Sequence, residues 1–294
     1  MAKIGRRISS PSIDIAISFN DIEFNSYSVG YMKKYFRDKP ISCSEQIVAL
    51  SRSIQKNWPE MKNNIYALHS KKISNKNFKL LKKEGINVIY APIEKQYDFD
   101  LHNRITVYSD FSSTPSDFTL VLDSDMLFLK PPSFDFSRLV QAGYESTLSN
   151  FDSFDVWKQL YEYFGLEWKK IDNFSYKKYQ LTGEENFMPC INNGAILVKN
   201  TYKSEFKNSI LEAEKQIVKI GLSDSTTKHY FSEIATSIAF QLAPKKSLFK
   251  PGINFIGKIG DNPYRLDYNN NIILYHYAGS KNQEIDKILY EYFI

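Results

Sequence analysis

The sequence predicts an α/β protein in which helices cover both faces of a sheet that is parallel in its N-terminal half. Short apolar, β-branched segments recur along this half, amphipathic segments at helical spacing separate them, and polar loops follow the strands. Chain segments of this kind join parallel strands by crossover helices. A chain of 294 residues is long enough to bury such a core without disulfides or a structural metal.

The first strand and the first helix have clear boundaries. Residues 12–19, SIDIAISF, form the predicted strand, and the polar NDIEFNS follows them. A helix is predicted within 42–60, where Ser44 is the expected N-cap and Pro59 ends the helix. Its apolar residues recur at helical spacing: Ile47, Leu50, Ile54 and Trp58.

Predicted strands and helices continue to alternate up to the middle of the chain. Strands are predicted at 64–70 and 86–92, with a helix between them that Gly85 closes. A helix at 101–111 then leads to the strand FTLVL at 118–122.

The second half of the chain is less regular. An aromatic, charged stretch at 151–179 receives no assignment. Further elements are a strand at 189–200, helices at 204–220 and 229–243, and a terminal strand, loop and helix at 271–293. No internal repeat, low-complexity tract or Pro/Gly/Ser linker divides the chain, so residues 1–294 are predicted to form a single domain.

Composition excludes several classes of protein. The 43% hydrophobic and 24% charged residues are ordinary for a globular protein, and the two cysteines, without a CxxC or Cys/His cluster, support neither a disulfide framework nor a zinc site. The net charge of +5 contains no long block of like charges, which argues against a nucleic-acid-binding arm. A mildly basic surface is compatible with binding either anionic small molecules or an anionic membrane surface.

The N-terminal sequence predicts a cytoplasmic protein. MAKIGRRISSPS is basic, but no apolar segment of a signal peptide follows it. No apolar run approaches the roughly 20 residues that span a bilayer. Peripheral contact with a membrane remains compatible with this pattern.

Two carboxylates, Asp123 and Asp125, interrupt the buried strand in DFTLVLDSDMLFLKPP. Such a pair is costly without a cation, because each charge loses its hydration and the two repel each other. A solvated surface turn would explain an arbitrary Asp-x-Asp, but here apolar sequence continues on both sides. Carboxylate oxygens suit Mg²⁺ or Mn²⁺, so the pattern favours a divalent metal site beyond the carboxyl end of a strand.

Three motifs in order resemble the metal-dependent glycosyltransferases of the GT-A fold. VLDSDMLFLKPP resembles YLDSDxLVLxD of the glycogenin-like family 8 and its relatives, INNGAILVKN resembles fNsGvmlin, and ILYHYAGSKN resembles iiHytGxxKPW. KNQ stands where the family has KPW, and the N-terminal SFNDIEF differs from aTDxxY. The resemblance implies a GT-A, Rossmann-like mixed sheet, with a nucleotide-binding half at 1–130 and an acceptor and sugar half at 131–294.

The resemblance also implies roles for individual residues. It implies that Asp123, Asp125 and His276 hold the metal and that Asn193 lies in the donor-sugar and acceptor region. From the residues alone, Glu184 or Glu185, close before the NNG strand, and Glu233 are the acidic candidates for the reaction centre. Residues implied or suggested to bind the donor are Ser18, Phe19, Asn20, Arg104, Asp123, Ser124, Asn192, Gly194, Gly279 and Lys281. From the residues alone, Lys281 lies where a helix N-terminus and an ammonium group would bind phosphate. A set of oxygen and imidazole ligands favours Mn²⁺ over Mg²⁺.

The function that the resemblance implies is transfer of a sugar from a nucleotide-diphosphate donor, a UDP-sugar, to an acceptor hydroxyl with retention, as in a hexosyltransferase. An inverting enzyme would instead need a carboxylate base, for which Glu185 and Glu233 are candidates. Two alternatives stay open at this point: a catalytically inactive nucleotide-sugar-binding protein, and a phosphatase of the haloacid dehalogenase type, which also ends a strand with Asp-x-Asp. The acceptor, whether glycan, lipid-linked or protein, is not specified by the sequence.

Overall fold

A computed structural model describes most of the predicted core of the chain. The described residues are 11–19, 42–61, 64–92, 100–112, 116–144, 154–167, 191–220, 225–250, 253, 255–256, 272–276 and 292. Five of the candidate residues lie outside the described residues: Asn20, Glu184, Glu185, Gly279 and Lys281. The predicted C-terminal helix also lies outside them, except for Tyr292.

Four parallel strands form the N-terminal half of the main sheet. They are β1 (Ile13–Phe19), β2 (Ile65–His69), β3 (Asn87–Tyr90) and β4 (Phe118–Leu122). The chain builds outward from β1 to β3 and then returns to the other side of β1, so β1 lies between β2 and β4. The carboxyl ends of β1 and β4 therefore flank a topological switch point, where α/β sheets bind ligands.

The C-terminal half extends this sheet with one antiparallel strand. Its strands are β6 (Val140–Tyr144), β7 (Ile191–Lys199) and β8 (Lys246–Leu248). The strand order is β3-β2-β1-β4-β7-β6-β8, and only β7 among these seven runs against the others. A small second sheet has the order β5-β10-β9 and consists of β5 (Met126–Phe128), β9 (Phe255–Ile256) and β10 (Leu274–His276).

Helices cover both faces of the main sheet. On one face lie α1 (Cys43–Asn57) and α2 (Asn75–Lys83), and on the other lie α3 (Phe154–Tyr163), α4 (Lys203–Lys219) and α5 (Ser225–Leu242). The alternation of β1 produces the two layers, since Ile15 and Ile17 pack with the residues of α1 while Ala16 packs with those of α4 and α5. Among the described helices, none has the length and apolarity to cross a membrane.

The predicted elements that fall on described residues are present in the structure, with differences in their ends and winding. Ser42, and not Ser44, caps α1: its hydroxyl accepts a hydrogen bond from the Glu45 N–H, and the Glu45 carboxylate accepts one from the Ser42 N–H. This reciprocal pair satisfies two of the helix's free N–H groups, which a Ser44 cap could not do. Gly85, at φ +75°, closes α2 as predicted.

The segment predicted as a helix at 101–111 is a 3₁₀ helix, Asp100–Tyr108. Ile105 and Tyr108 are both buried. Side chains three residues apart share one side of a 3₁₀ helix, so this tighter winding packs both of them against the sheet.

Asp14 is a buried carboxylate at the amino end of β1, away from the switch point. The Ser116 hydroxyl donates a hydrogen bond to its Oδ2 at 2.7 Å. Burial raises the pKa of Asp14, and the hydroxyls of Ser116 and Ser112 and the charge of Lys203 offset only part of this effect.

The Asp14→Asn variant is expected to be more stable than the wild type at neutral pH. Because the pKa of Asp14 is raised in the folded state, the carboxyl group contributes stability below its unfolded value of 3.8 and loses it as the pH rises through the folded value. Urea unfolding of both proteins at neutral pH and near pH 3.8 measures this, and the difference should shrink in acid.

Asp117→Asn is the control of opposite sign. The backbone N–H and the hydroxyl of Ser12 lower the pKa of Asp117, so this variant should be the less stable one at neutral pH and approach the wild type as the pH falls. The same pH trend in both variants would contradict the assignment for Asp14.

Candidate active site

The two aspartates lie at the carboxyl end of β4, where the chain leaves the main sheet. The Asp123 N–H donates to the Gly194 carbonyl at 2.9 Å, which extends the β4–β7 ladder by one residue. The side chains of Asp123 and Asp125 keep 21% and 23% of their surface exposed. Both carboxylates can therefore reach a ligand while the backbone that carries them is held.

His276 reaches this position through the second sheet. β10 pairs antiparallel with β5, and His276 lies opposite Met126, the residue that follows Asp125. Its Nε2 is 3.2 Å from Asp125 Oδ1 and 3.8 Å from Asp123 Oδ2. The fold thus brings His276 into contact with Asp125, about 150 residues earlier in the chain, as the motif resemblance implies.

One donor atom from each of Asp123, Asp125 and His276 lies within 4.8 Å of the other two. Neighbouring ligands of an octahedral ion are about 3 Å apart when the metal–ligand distance is about 2.1 Å. The spacing and chemistry of this triad fit a divalent cation, and two oxygens with an imidazole nitrogen suit Mn²⁺.

Burial and charge attraction act in opposite directions on the pKa values of His276 and Asp125. Burial lowers the pKa of His276, but Asp125 and then Asp123 raise it, and the pKa lies above its ordinary value. Burial raises the pKa of Asp125, but His276 and Arg104 lower it, and the pKa lies below its ordinary value. The site therefore favours an ionised Asp125 and a positive charge close to it.

Arg104, from the 3₁₀ helix, binds Asp123 directly. Its Nη2 lies 2.7 Å from Asp123 Oδ1, so the two oxygens of this carboxylate face different cationic groups. Burial lowers the pKa of Arg104, but Asp123, Glu233 and Asp125 raise it, and the guanidinium stays charged. The sequence suggested that Arg104 binds the donor. In the structure the guanidinium contacts the carboxylate of Asp123 and orients it.

A bulge in β7 brings the NNG sequence to the aspartates. Ala142 and Gly143 of β6 are consecutive, but they pair with Ile196 and Asn192, so the three residues between these two have no partners in β6. Bulges commonly redirect a strand beside a functional site. Here the bulge carries Gly194 to the end of β4.

Gly194 leaves no room for a side chain. A Cβ atom on it would lie 2.5 Å from Met126 Cε, 2.6 Å from Asn192 Oδ1 and 2.9 Å from His276 Cε1. The Asn192 oxygen also accepts a hydrogen bond from the Gly194 N–H at 2.8 Å. Glycine is required because the backbone of β7 passes directly against the histidine.

Asn193 and Glu233 lie on neighbouring elements. Asn193 is 4% exposed, and its Nδ2 donates to Ser232 Oγ on α5 at 3.3 Å. Its Oδ1 has no hydrogen-bond partner among the described residues. Glu233 follows Ser232, and its charge acts on Arg104. The structure therefore brings Asn193 and Glu233 to the side of the site that Arg104 occupies.

An aromatic row lies at the carboxyl ends of the first three strands. Phe19 is buried, and its ring centroid is 5.9 Å from that of His69, which is 5.4 Å from that of Tyr90. These residues are in register across β1, β2 and β3. Ser18, the neighbouring candidate, points to the other face of the sheet. Sequence reasoning missed His69 and Tyr90, although each is the last residue of its strand.

Three polar side chains of helix α1 hydrogen-bond to the Asp-x-Asp segment and to the strand β5 that follows it. The Ser124 hydroxyl donates to Gln46 Oε1 at 2.8 Å. Ser53 Oγ accepts the Phe128 N–H at 3.0 Å, and Asn57 Nδ2 donates to the Phe128 carbonyl at 2.7 Å. The three side chains are spaced seven and four residues apart, on one face of the helix. Ser53 and Asn57 supply one edge of β5 with hydrogen bonds, while β10 pairs with the other edge.

Known structures share this fold. The galactosyltransferase LgtC, in complex with donor and acceptor sugar analogues, matches with a TM-score of 0.53 and 14% identity over 95% of each chain. GlyE of Streptococcus pneumoniae TIGR4 matches with a TM-score of 0.53 and 14% identity over 96% of this chain and 60% of its own. The bifunctional glycosyltransferase WbbM matches with a TM-score of 0.50 and 13% identity over 97% of this chain and 50% of its own.

At these identities the similarity establishes the fold, which is the GT-A glycosyltransferase fold. Comparison with curated proteins gives no match. A sequence-family model described as the Rhodobacterales glycosyltransferase domain matches residues 41–241, which is more than half of the chain and includes both aspartates and the NNG sequence. The chain therefore belongs to the Rhodobacterales glycosyltransferase domain family.

Proposed function

We propose that this glycosyltransferase moves a sugar from a nucleotide-diphosphate donor, a UDP-sugar, to an acceptor hydroxyl in a reaction that depends on a divalent cation. The observation that carries the proposal is the convergence of Asp123, Asp125 and His276. As one domain, residues 1–130 would bind the nucleotide and residues 131–294 the sugar and the acceptor. Family membership removes the phosphatase alternative.

Mn²⁺ is the proposed ion, since imidazole joins two carboxylates in the donor set. When bound, it would supply positive charge against the diphosphate leaving group, where negative charge develops in the transition state. The chain's own part is to hold the three ligands in place: Arg104 orients Asp123, the β5–β10 pairing orients His276, and α1 holds the segment that carries Asp125.

The proposed sugar pocket lies beside the β7 bulge. Asn193 Oδ1, which has no hydrogen-bond partner among the described residues, can accept a hydrogen bond from a sugar hydroxyl, and Gly194 lets a ligand approach the backbone. Asn192 and Ser124 flank this position. At the end of β1, Phe19 and Ser18 are proposed to lie near the nucleotide base, with Asn20 as the next residue.

Retention is the proposed stereochemistry, with a phosphate oxygen of the leaving group accepting the proton of the acceptor hydroxyl. Gly279 and Lys281 are proposed to contact this diphosphate. An inverting reaction would require a carboxylate base, and Glu233, close enough to Arg104 to affect its pKa, or Glu185 would serve. The anomeric configuration of the product, determined by NMR, distinguishes the two.

A thermal-shift screen of nucleotide-sugars with and without Mn²⁺ tests the proposed donor. A ligand at about 100 times its Kd stabilises the folded state by about 2.7 kcal/mol. We expect a UDP-sugar to raise the melting temperature only when Mn²⁺ is present, and slow release of UDP from the same donor. Equal shifts with and without Mn²⁺ would reject the metal-dependent site, and binding without any turnover would identify an inactive protein.

Gln46→Leu is expected to weaken Mn²⁺ binding about tenfold, because groups that orient metal ligands typically contribute 10- to 100-fold to affinity. The variant removes the acceptor of the Ser124 hydroxyl, which lies between the two aspartates. Isothermal titration with Mn²⁺ measures the change.

Gln55→Leu is the matched control on the same helix. Its amide contacts Ser51 Oγ and the Glu84 carbonyl, away from the metal motif. Equal loss of affinity in both variants would show a general effect on α1 in place of a specific one at Ser124.

A further inference from the structure

The positive charge of the protein is concentrated on one short segment. Residues 71–83 contain no acidic residue and carry a formal charge of +6, whereas the whole chain carries +5, so the remaining residues together carry −1. The basic residues are Lys71, Lys72, Lys76, Lys79, Lys82 and Lys83. We call this segment, the turn before α2 and α2 itself, the lysine face.

All six lysines of the lysine face are exposed. Lys76, Lys79 and Lys83 are spaced three and four residues apart, so they lie on one side of α2. Leu81 lies on the opposite side and is fully buried in the core beneath α1. The helix is thus anchored by its apolar side and presents its ammonium groups outward over about 13 Å.

The nearest acidic residue in the sequence does not neutralise this face. Glu84 follows directly, but Arg52 of α1 binds its carboxylate at 2.7 Å. Helix α2 packs against α1 and β3, and β3 carries no charged residue. Neither Glu84 nor β3 therefore offers a carboxylate that would offset the charge of α2.

Exposed aromatic rings accompany the charges. Phe78 is 40% exposed, and the Lys82 ammonium lies 5.9 Å from the centre of its ring. Tyr90 is 62% exposed at the end of β3, the edge strand that α2 packs against. Aromatic rings beside lysines are typical of surfaces that lie in the headgroup region of a bilayer.

We propose that the lysine face docks this glycosyltransferase on an anionic membrane surface. Four to eight lysines or arginines in one segment are enough to recognise acidic lipids, which move laterally to meet the charges. A single outward helix side suits such a planar partner. Single-stranded nucleic acid would instead require a charged groove lined with stacking platforms. The proposal does not depend on the identity of the donor or the metal.

Co-sedimentation with lipid vesicles tests the proposal. The probes are phosphatidylcholine vesicles with and without about 30 mol% phosphatidylserine, at about 0.1 M salt. We expect the wild-type protein to bind only the acidic vesicles, and more weakly at higher salt. Each lysine near the surface contributes about a fivefold factor, so the triple variant K76Q/K79Q/K83Q should bind about 100-fold more weakly.

A matched triple variant controls for net charge. Lys158, Lys219 and Lys245 are also exposed. The first two lie on α3 and α4, on the face of the sheet opposite α2, and Lys245 lies just before β8, at the sheet edge opposite β3. K158Q/K219Q/K245Q should keep wild-type binding. Both triple variants should keep the wild-type melting temperature and the wild-type rate of donor turnover with a water-soluble acceptor. Phe78→Ser should weaken vesicle binding a few-fold if the ring enters the headgroup region.

Three results would overturn the proposal. The first is equal vesicle binding by the wild type and K76Q/K79Q/K83Q, and the second is equal loss in the two triple variants, which would leave only total charge. The third is tighter binding of single-stranded RNA than of acidic vesicles at the same salt, which would assign the lysine face to nucleic acid.

Discussion

Asp125→Asn is expected to lower the proposed metal-dependent sugar transfer by about 100- to 1,000-fold, the range found when one group that stabilises transition-state charge is removed. The carboxylate oxygen that lies 3.2 Å from His276 becomes part of a neutral amide, which is a poor ligand for Mn²⁺. His276 also loses the strongest of the charges that raise its pKa. Initial rates with a UDP-sugar measure the loss of transfer, and Mn²⁺ titrations on the same preparation measure the loss of metal affinity.

Asp135→Asn is the matched control for this variant. Asp135 is an exposed carboxylate on a surface turn ten residues after Asp125, and it pairs with Arg138 at 3.0 Å. It should leave transfer and metal affinity unchanged. A folded Asp125→Asn protein with wild-type Mn²⁺ affinity and wild-type transfer would remove the triad from the mechanism.

Gly194→Ala is expected to lower both stability and metal affinity. The new Cβ would meet Met126 Cε, Asn192 Oδ1 and His276 Cε1 at less than 3 Å. The flexible end of Met126 can move, but the Asn192 oxygen is held by its hydrogen bond to the Gly194 N–H, and His276 belongs to a paired strand. Inserting a methyl group into such a site costs about 1–3 kcal/mol.

The displacement of His276 is the part of this effect that concerns function. A shift of a few tenths of an ångström alters the spacing of its Nε2 from the two aspartates, and we expect at least a tenfold loss of Mn²⁺ affinity, about 1.4 kcal/mol. Urea unfolding and Mn²⁺ titration measure the two effects separately.

Val198→Ala is the control for Gly194→Ala: it should lower the free energy of unfolding by a similar amount without changing the residues around His276. Val198 is buried on the same strand, four residues beyond Gly194 and opposite Thr119 of β4. It should unfold more easily than the wild type and yet bind Mn²⁺ as tightly. If Gly194→Ala keeps wild-type metal affinity at its own reduced stability, the close approach of β7 to His276 has no role in the site.

Elements with strong local periodicity were predictable from the chain. The first helix followed from apolar residues at spacings of three and four, and β1 followed from a β-branched apolar run. Helix α3 was missed, although Trp157, Leu160 and Tyr161 have the same spacing and are fully buried. The short strands β6 and β8 were missed because three to five residues carry too little pattern to separate a strand from a loop.

The site residues, like the helices and strands, were predictable only where they leave a local pattern in the sequence. Asp123 and Asp125 could be found because two charges in an apolar strand are a local anomaly, and His276 was linked to them by motif resemblance. The polar side chains of α1 could not be found, because Gln46, Ser53 and Asn57 look like ordinary interruptions of an amphipathic helix until β5 is placed against them.

Local physical chemistry along the chain was sufficient for the fold class, for most helices and strands, and for the two aspartates, because propensity, periodicity and the cost of burying charge act between near neighbours. Tertiary structure decided the rest. Arg104 was suggested as a donor-binding residue, and only the packing of the 3₁₀ helix showed that it binds Asp123. The bulge in β7 and the pairing of β10 with β5 brought Gly194 and His276 to the motif, because strand pairing joins residues whose separation along the chain leaves no local pattern.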